Sequence, residues 1–292
     1  MPETVIQDLF DIERMAAFYR ASENERVDAH IHDTYAHLLI GERGEQLMKE
    51  LPAGLSEGWG NIARTWIYDD ILLRIIQEQQ VDVVLNLAAG LDTRPYRLAL
   101  PATLRWVEAD HAEILAYKAH LLSDAQPSCQ LEQVPLAITD TEACAELLQD
   151  LGKQARTIFV LTEGLLIYLS VEQVSALAAA LKATPAVQWW LTECIAPTVL
   201  QSTAQLWNPL AAVPAQVRFT PPGGVSFFYA YDWKVLEFYQ YAHIALRLHL
   251  PLRRRWQARL FSWWTTKRRS DALYNTGGFF LFQRNPRSDP GK

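Results

Sequence analysis

Short β-branched runs alternating with helix-patterned stretches predict an α/β fold with a mostly parallel sheet flanked by helices. Two further observations agree with it: a buried strand that ends in small residues, and a second strand that closes on an acid. The chain has 292 residues, half of them hydrophobic, which is material for one large core with attachments.

Taken in order, residues 4–35 read as helix, because Phe10, Met15, Phe18 and Tyr19 fall near helical spacing with few breakers. Gly41, Gly44, Pro52, Gly54, Gly58 and Gly60 then mark a looser stretch. From Ile62 a second helix is expected, with Ile67, Ile71, Leu72, Ile75 and Ile76 on one face. Beyond Gln80 the period changes. Strands are predicted over 81–87, 104–109, 130–135, 157–161 and 186–192, with helices over 112–122, 142–151 and 171–182 between them. After Pro197 the prolines and aromatics predict an irregular insertion to Tyr231, followed by strands over 233–238 and 278–283. This divides the chain into an N-terminal helical cap (1–80), an α/β core (81–196), a substrate-side insertion (197–231) and C-terminal strands with a basic helix (232–292).

Composition narrows the function classes. A net charge of −6 gives no reason to expect nucleic acid as a partner. Cys129, Cys144 and Cys194 lack metal-like spacing, and their odd number argues against a disulfide framework. His30-Ile-His-Asp33 with His37 lacks a second ligand pair, so no metal is expected. The N-terminal residues mix acids among apolar side chains unlike a signal peptide, and no apolar run reaches the ~18 residues of a membrane span. A cytoplasmic protein is therefore expected. Arg247, Arg253, Arg254, Arg255, Arg259, Lys267, Arg268 and Arg269 cluster around Trp256, Phe261, Trp263 and Trp264; this is read as a helix packing on the domain, with a membrane-surface or partner-binding helix as the alternative.

The informative segment runs from Val81 to Arg97. Ala88, Ala89 and Gly90 leave room for a ligand against the backbone at the carboxyl end of a strand, where open α/β sheets bind their ligands. The turn does not match the three-glycine fingerprint of dinucleotide enzymes, which argues against an NAD-dependent oxidoreductase. About twenty residues on, Asp110 ends the next strand, where a carboxylate can accept both ribose hydroxyls. Its alternative role is a cap for the helix that follows. Glu108, on the same strand face, is a weaker candidate.

Several motifs in order resemble the leucine carboxyl methyltransferase family, which includes bacterial polyketide-type O-methyltransferases. They are Asn86 to Leu98 (NLAAGLDTRPYRL), Arg105 to Asp110 (RWVEAD) with Tyr117-Lys118, and Thr162 to Leu169 (TEGLLIYL), preceded by Ala21 to Asp28 (ASENERVD) and Ala63 to Asp70 (ARTWIYDD). The resemblance implies a Rossmann-like class I methyltransferase sheet with its last strand antiparallel, an N-terminal helical cap and an insertion after the fifth strand. It also implies S-adenosyl-L-methionine as cofactor. Arg64 matches an arginine that grips the methionine carboxylate, for which a planar fork is suited; the alternative is an ion pair with Asp69 or Asp70. Ala88 and Gly90 match the backbone approach, Asp110 the ribose acid, and Glu163 a carboxylate beside the sulfonium and amino group. Asp92 is counted with the cofactor residues, although Asp92, Thr93 and Arg94 could equally brace the loop. The family's acid after the third strand, where adenine is held, is replaced here by Ala137; the neighbouring Ile138 is the candidate from this turn, and Asp140 either contacts adenine or caps the next helix.

The implied chemistry is methyl transfer to a carboxyl or hydroxyl oxygen of a small molecule. A protein's terminal carboxylate and a non-catalytic nucleotide-binding module are the alternatives. Alignment of acceptor and methyl group carries most of such catalysis, and a base is needed only for a hydroxyl. Glu163 and Tyr168 are the positioning candidates, and His111 is read as a surface residue at a helix start. Trp207, Phe219, Phe227, Phe228 and Tyr229 either line an acceptor pocket or pack the insertion onto the domain.

Overall fold

The computed structural model describes residues 5–52, 58–250 and 277–285. In chain order its helices and strands are α1 (Leu9–Asn24), α2 (Ala36–Glu50), α3 (Trp59–Gln79), β1 (Val83–Leu87), α4 (Arg94–Arg97), β2 (Arg105–Asp110), α5 (Ala112–Leu121), β3 (Gln130–Pro135), α6 (Thr141–Gln154) and β4 (Ile158–Thr162). Then follow α7 (Val171–Ala183), β5 (Val187–Ile195), α8 (Pro197–Trp207), α9 (Ser226–Tyr229), β6 (Trp233–Tyr239), α10 (Tyr241–Arg247) and β7 (Gly277–Arg284).

The strands form one sheet in the order β3-β2-β1-β4-β5-β7-β6. Strands β1 to β5 pair in parallel, and β7 runs antiparallel between β5 and β6. This is the sheet the sequence predicts, with the last strand reversed. Chain direction across the sheet switches between β1 and β4, and a crevice opens at their carboxyl ends. Alternate residues of each strand feed the two faces. Val84, Trp106, Phe159 and Leu191 pack with Ile67, Ile71 and Ile75 of α3, while Leu85, Val107, Val160 and Trp190 pack with Leu148, Val174 and Leu177 of α6 and α7. Full burial of side chains this size is worth about 1.5–3 kcal/mol each, so the sheet is a rigid floor for whatever sits at its edge.

The N-terminal region departs from expectation. The first helix ends at Asn24 rather than near Tyr35, and the glycine-punctuated stretch forms α2. Asp33 explains the restart: its buried carboxylate accepts the N–H groups of Tyr35 and Ala36 at 3.1 and 3.0 Å, at the head of α2. The α2 glycines serve packing. A Cβ on Gly44 would lie 3.1 Å from the Arg14 Cβ, so its absence lets α1 and α2 approach closely. Gly41, at φ 63°, kinks the helix.

The insertion is also more regular than expected, because α8 starts with Pro197 in its first turn, a position where the missing N–H costs nothing. Phe219, Phe227 and Phe228 pack the insertion onto the domain, whereas Tyr229 is exposed. Phe219 and Phe228 are buried, Phe228 lies against Trp190 and Phe282, and the Trp207 indole donates to the Ala215 carbonyl at 2.8 Å. Arg247 rests over the Trp66 ring at 4.8 Å, and the basic aromatic stretch 253–269 lies outside the described residues. The three cysteines are free and buried. No described helix is long and apolar enough to cross a membrane.

Candidate functional site

The turn after β1 is the centre of the site. Ala88 and Gly90 both take left-handed backbone conformations, at φ 54° and 49°. Ala88 and Ala89 keep bonding to the Ala109 carbonyl, so the turn stays tied to β2. The Gly90 N–H donates to Asp110 Oδ2 at 2.6 Å, and the His111 N–H donates to Oδ1 at 2.6 Å. Asp110 is thus aimed at the glycine turn rather than capping α5. Burial raises its proton affinity despite these two donors.

A cleft runs from this turn to β4, walled by Glu13 and Arg20 of α1, Arg64 of α3, Ala88, Asp92, Arg94, Glu163 and Tyr168. Five residues singled out in the sequence therefore share one wall: Arg64, Ala88, Asp92, Glu163 and Tyr168. Gly90 and Asp110 lie at its end, where Glu13 covers the turn. Arg64 Nε donates to Glu163 at 3.0 Å, and Nη1 lies 3.5 Å from Glu193. Arg64's ion pairs are with these two glutamates rather than with Asp69 or Asp70, and Asp69 instead pairs with Arg94 at 2.6 Å and with Arg97 at 2.6 Å. Burial alone would weaken the protonated form of Arg64, yet Glu163 and Glu193 hold it firmly charged.

Asp92 is chiefly a brace. Its carboxylate accepts the Asn86 amide, the Arg94 backbone N–H and the Arg94 guanidinium, each at 2.8 Å. Burial favours its neutral form, but Arg94, Lys118 and Arg97 hold it down at about 2. Thr93 donates to Asp33 at 2.6 Å, and Arg20 pairs with Asp33 at 2.8 Å while reaching the Leu91 carbonyl at 2.6 Å. The loop is thereby stapled to both N-terminal helices.

Two expectations need correction, and one open alternative is resolved. Ile138 is half-buried against the core on the α6 side and does not wall the cleft. Glu108 does not reach the site either, because its buried carboxylate pairs with Lys118 at 2.7 Å. Asp140 caps α6, accepting the Ala143 N–H at 3.0 Å, which leaves no acid from this turn in the cleft. His30 belongs to packing, with Nε2 at 2.7 Å from the Leu248 carbonyl. His111 is exposed at the start of α5, as expected.

Sequence reading missed Glu193, Tyr68, Tyr241 and Glu13. Glu163 follows the last residue of β4 and Glu193 occupies the next position beside it in β5, since the register pairs Thr162 with Thr192. The repeated Leu-Thr-Glu at 161–163 and 191–193 was a usable signal for it. Glu193 accepts the Gly164 N–H at 2.7 Å and the Tyr68 hydroxyl through a short hydrogen bond. Burial, and then Glu163, raises its proton affinity. Beside it opens a groove of about 360 Å³ walled by Trp59, Ile195, Ala196, Val199, Tyr241 and Ala242. Tyr241 lines the groove, and burial and then Glu193 push its hydroxyl well above the usual range.

The family model described as leucine carboxyl methyltransferase matches residues 13–182, which include both cleft walls. The chain belongs to the leucine carboxyl methyltransferase family. Proteins from Parafrankia sp. and Streptomyces coelicolor, each named "putative S-adenosyl-L-methionine-dependent methyltransferase", are similar to it. The first is 33% identical over 171 residues, covering 55% of this chain and 54% of the relative. The second is 34% identical over 168 residues, covering 53% and 55%. The chain thus spans about half the length of the curated relatives it matches. Two solved structures share the fold. One, titled a putative methyltransferase from Thermobifida fusca, superposes with a TM-score of 0.56 at 17% identity, over 86% of this chain and 93% of that one. The other, a DUF574-family protein from Streptomyces avermitilis, has a TM-score of 0.54 at 13% identity, covering 86% and 95%. The matched family segment ends at residue 182, so Glu193 and the groove lie beyond it.

Proposed function

We propose that this member of the leucine carboxyl methyltransferase family is an S-adenosylmethionine-dependent O-methyltransferase whose acceptor is a small, largely apolar molecule bearing a hydroxyl group. The donor set suits the cofactor. Gly90 leaves a cradle that a Cβ would fill, Asp110 faces that turn as an acceptor for ribose hydroxyls, Arg64 offers a planar cation to a carboxylate, and Glu163 offers an anion to an ammonium group. When bound, the cofactor supplies a methyl group already activated by its sulfonium charge.

The observation that carries the acceptor class is the groove. Its walls are apolar, and no charged side chain lines it among the described residues. Among the described residues an acceptor carboxylate, including a protein's C-terminus, would meet no cation along the groove, and the cation on its Glu193 side, Arg64, is already paired with Glu163 and Glu193. A neutral hydroxyl is compatible with both. Such a group must shed its proton as it accepts the methyl group, and Glu193, the neighbour of Cys194 in the groove wall, is the carboxylate assigned to take it. Its raised proton affinity suits it to that role, and Tyr68 and the Gly164 N–H hold it in place. An apolar molecule of this kind fits specialised metabolism.

The test is incubation with methyl-labelled cofactor and a panel of phenols, alcohols and carboxylic acids, read by mass spectrometry before and after mild alkali. A base-stable methyl ether is the expected product. Label confined to base-labile methyl esters would overturn the hydroxyl assignment.

A further inference from the structure

Glu13 is an acid of the cleft to which neither the proposed chemistry nor the bracing of the loop gives a role. It sits in the first half of α1, whose Ile12, Ala16 and Arg20 also face the cleft. A Cβ placed on Gly90 would collide with Glu13 Oε2 and with its carboxyl carbon. The space that glycine opens at this turn is therefore filled by the end of the Glu13 side chain. The cleft keeps only about 40 Å³ free, room for about three water molecules and far short of a nucleoside.

Glu13 is held weakly there. The Leu91 N–H reaches Oε2 at 3.4 Å, the long limit of a hydrogen bond. The charged groups acting on it come from three elements: Asp110 of β2 repels it, while Arg64 of α3 and, more weakly, Arg20 of its own helix attract it. Tyr168, after β4, feels its charge as well. A carboxyl group with one long bond, next to another acid, is poorly satisfied for a structural anchor.

We propose that the Glu13 carboxyl group is a built-in occupant of the cofactor site, filling the close approach over Gly90 when the site is empty and yielding it when S-adenosylmethionine binds. This rests on the cofactor assignment above. The unliganded cleft is then self-occluded, and apparent affinity is reduced by the fraction of molecules in which Glu13 is in place. Displacement has a proton signature. Burial, with Asp110, lifts Glu13 to about 7 in the closed cleft, whereas a carboxyl moved into solvent returns to the ordinary glutamate range. Cofactor binding should therefore release a proton between those two values and tighten as pH rises through that window, by at most about tenfold per pH unit. Above it the dependence on Glu13 ends. Asp110 is also raised and contributes a slope of its own, so the Glu13 part is read as a difference between variants.

The experiment is calorimetric titration of the full chain with S-adenosylmethionine and with S-adenosylhomocysteine from pH 5.5 to 8.5, in buffers of different ionisation enthalpy. It compares the wild type with Glu13→Ala and Glu13→Gln, with melting curves verifying that each variant is folded. Glu13→Ala is expected to bind roughly tenfold more tightly at pH 6, as vacating the cradle removes the competitor. Glu13→Gln is expected to lose the proton release attributable to this residue. Binding by the alanine variant alone would also support the inference. Wild-type binding that is unchanged or weakened in Glu13→Ala, or equal proton release in Glu13→Gln, would overturn it while leaving the cofactor assignment intact. No binding by any folded form at any pH would overturn both.

Discussion

Asp92 and Glu13 line the same cleft from opposite sides, and their carboxyl groups behave oppositely. Asp92, on the floor, accepts three bonds at 2.8 Å and is held at about 2. Glu13, on the roof, has one bond at 3.4 Å and is pushed up to about 7. Burial acts on both in the same direction. Partners therefore decide, and the contrast separates a part built to stay from a part placed to move.

The largest expected effect comes from destroying the floor's cation. Arg94 is 3% exposed and bridges Asp69, Asp92 and Glu163, so Arg94→Met would strand buried carboxylates. A loss of about 3–5 kcal/mol is expected in urea unfolding, enough to leave a marginal fold. Stability indistinguishable from wild type would mean that the contrast has another cause.

Next comes acid. Asp92 is held below its ordinary 3.8, so its contribution is fully present above that value and is lost as pH falls towards 2. That contribution is roughly 2 kcal/mol, and Asp92→Asn should flatten the stability profile between pH 4 and 2. An unchanged acid limb in that variant would show that the carboxylate is not held as described.

Arg64→Ala and Asp110→Ala address function rather than folding. Each is expected to weaken cofactor binding by roughly 1.5–3 kcal/mol, or about 10- to 150-fold, through loss of a charge-assisted hydrogen bond. Undiminished affinity in both would remove them from the site. The smallest effect should follow Tyr68→Phe, which takes one donor from Glu193 and leaves its other contacts. About 1 kcal/mol of stability should be lost, and turnover should move to a higher pH-dependent midpoint, because Glu193 would hold its proton more tightly. A midpoint that stays in place would argue against Glu193 as the proton acceptor.

Legibility differed by region for physical reasons. The central parallel strands were readable because burial on both faces demands continuous apolar runs, as in the fully buried β1 and β4, while the partly exposed edge strand β3 was still predicted to its ends as Gln130–Pro135. The α2 helix was not, since its glycines read as breakers when they in fact permit contact with α1. The insertion's aromatics had two consistent readings, and packing against Trp190 selects one. In the cleft, Arg64, Gly90, Asp110 and Glu163 stood out through motif and strand-end position. Glu193 carried the same Leu-Thr-Glu signal as Glu163, yet it lies beyond the segment that resembles the family.

By itself the sequence determined the strand order's raw material, the glycine turn and the acid facing it, because local periodicity and strand ends are properties of consecutive residues. Tertiary structure alone decided that Glu13 fills the Gly90 cradle from 77 positions away, that Asp69 pairs with Arg94 rather than Arg64, and that Glu108 is consumed by Lys118. Those outcomes depend on which helices dock over the sheet. No spacing along the chain encodes the distance between two side chains brought together by packing.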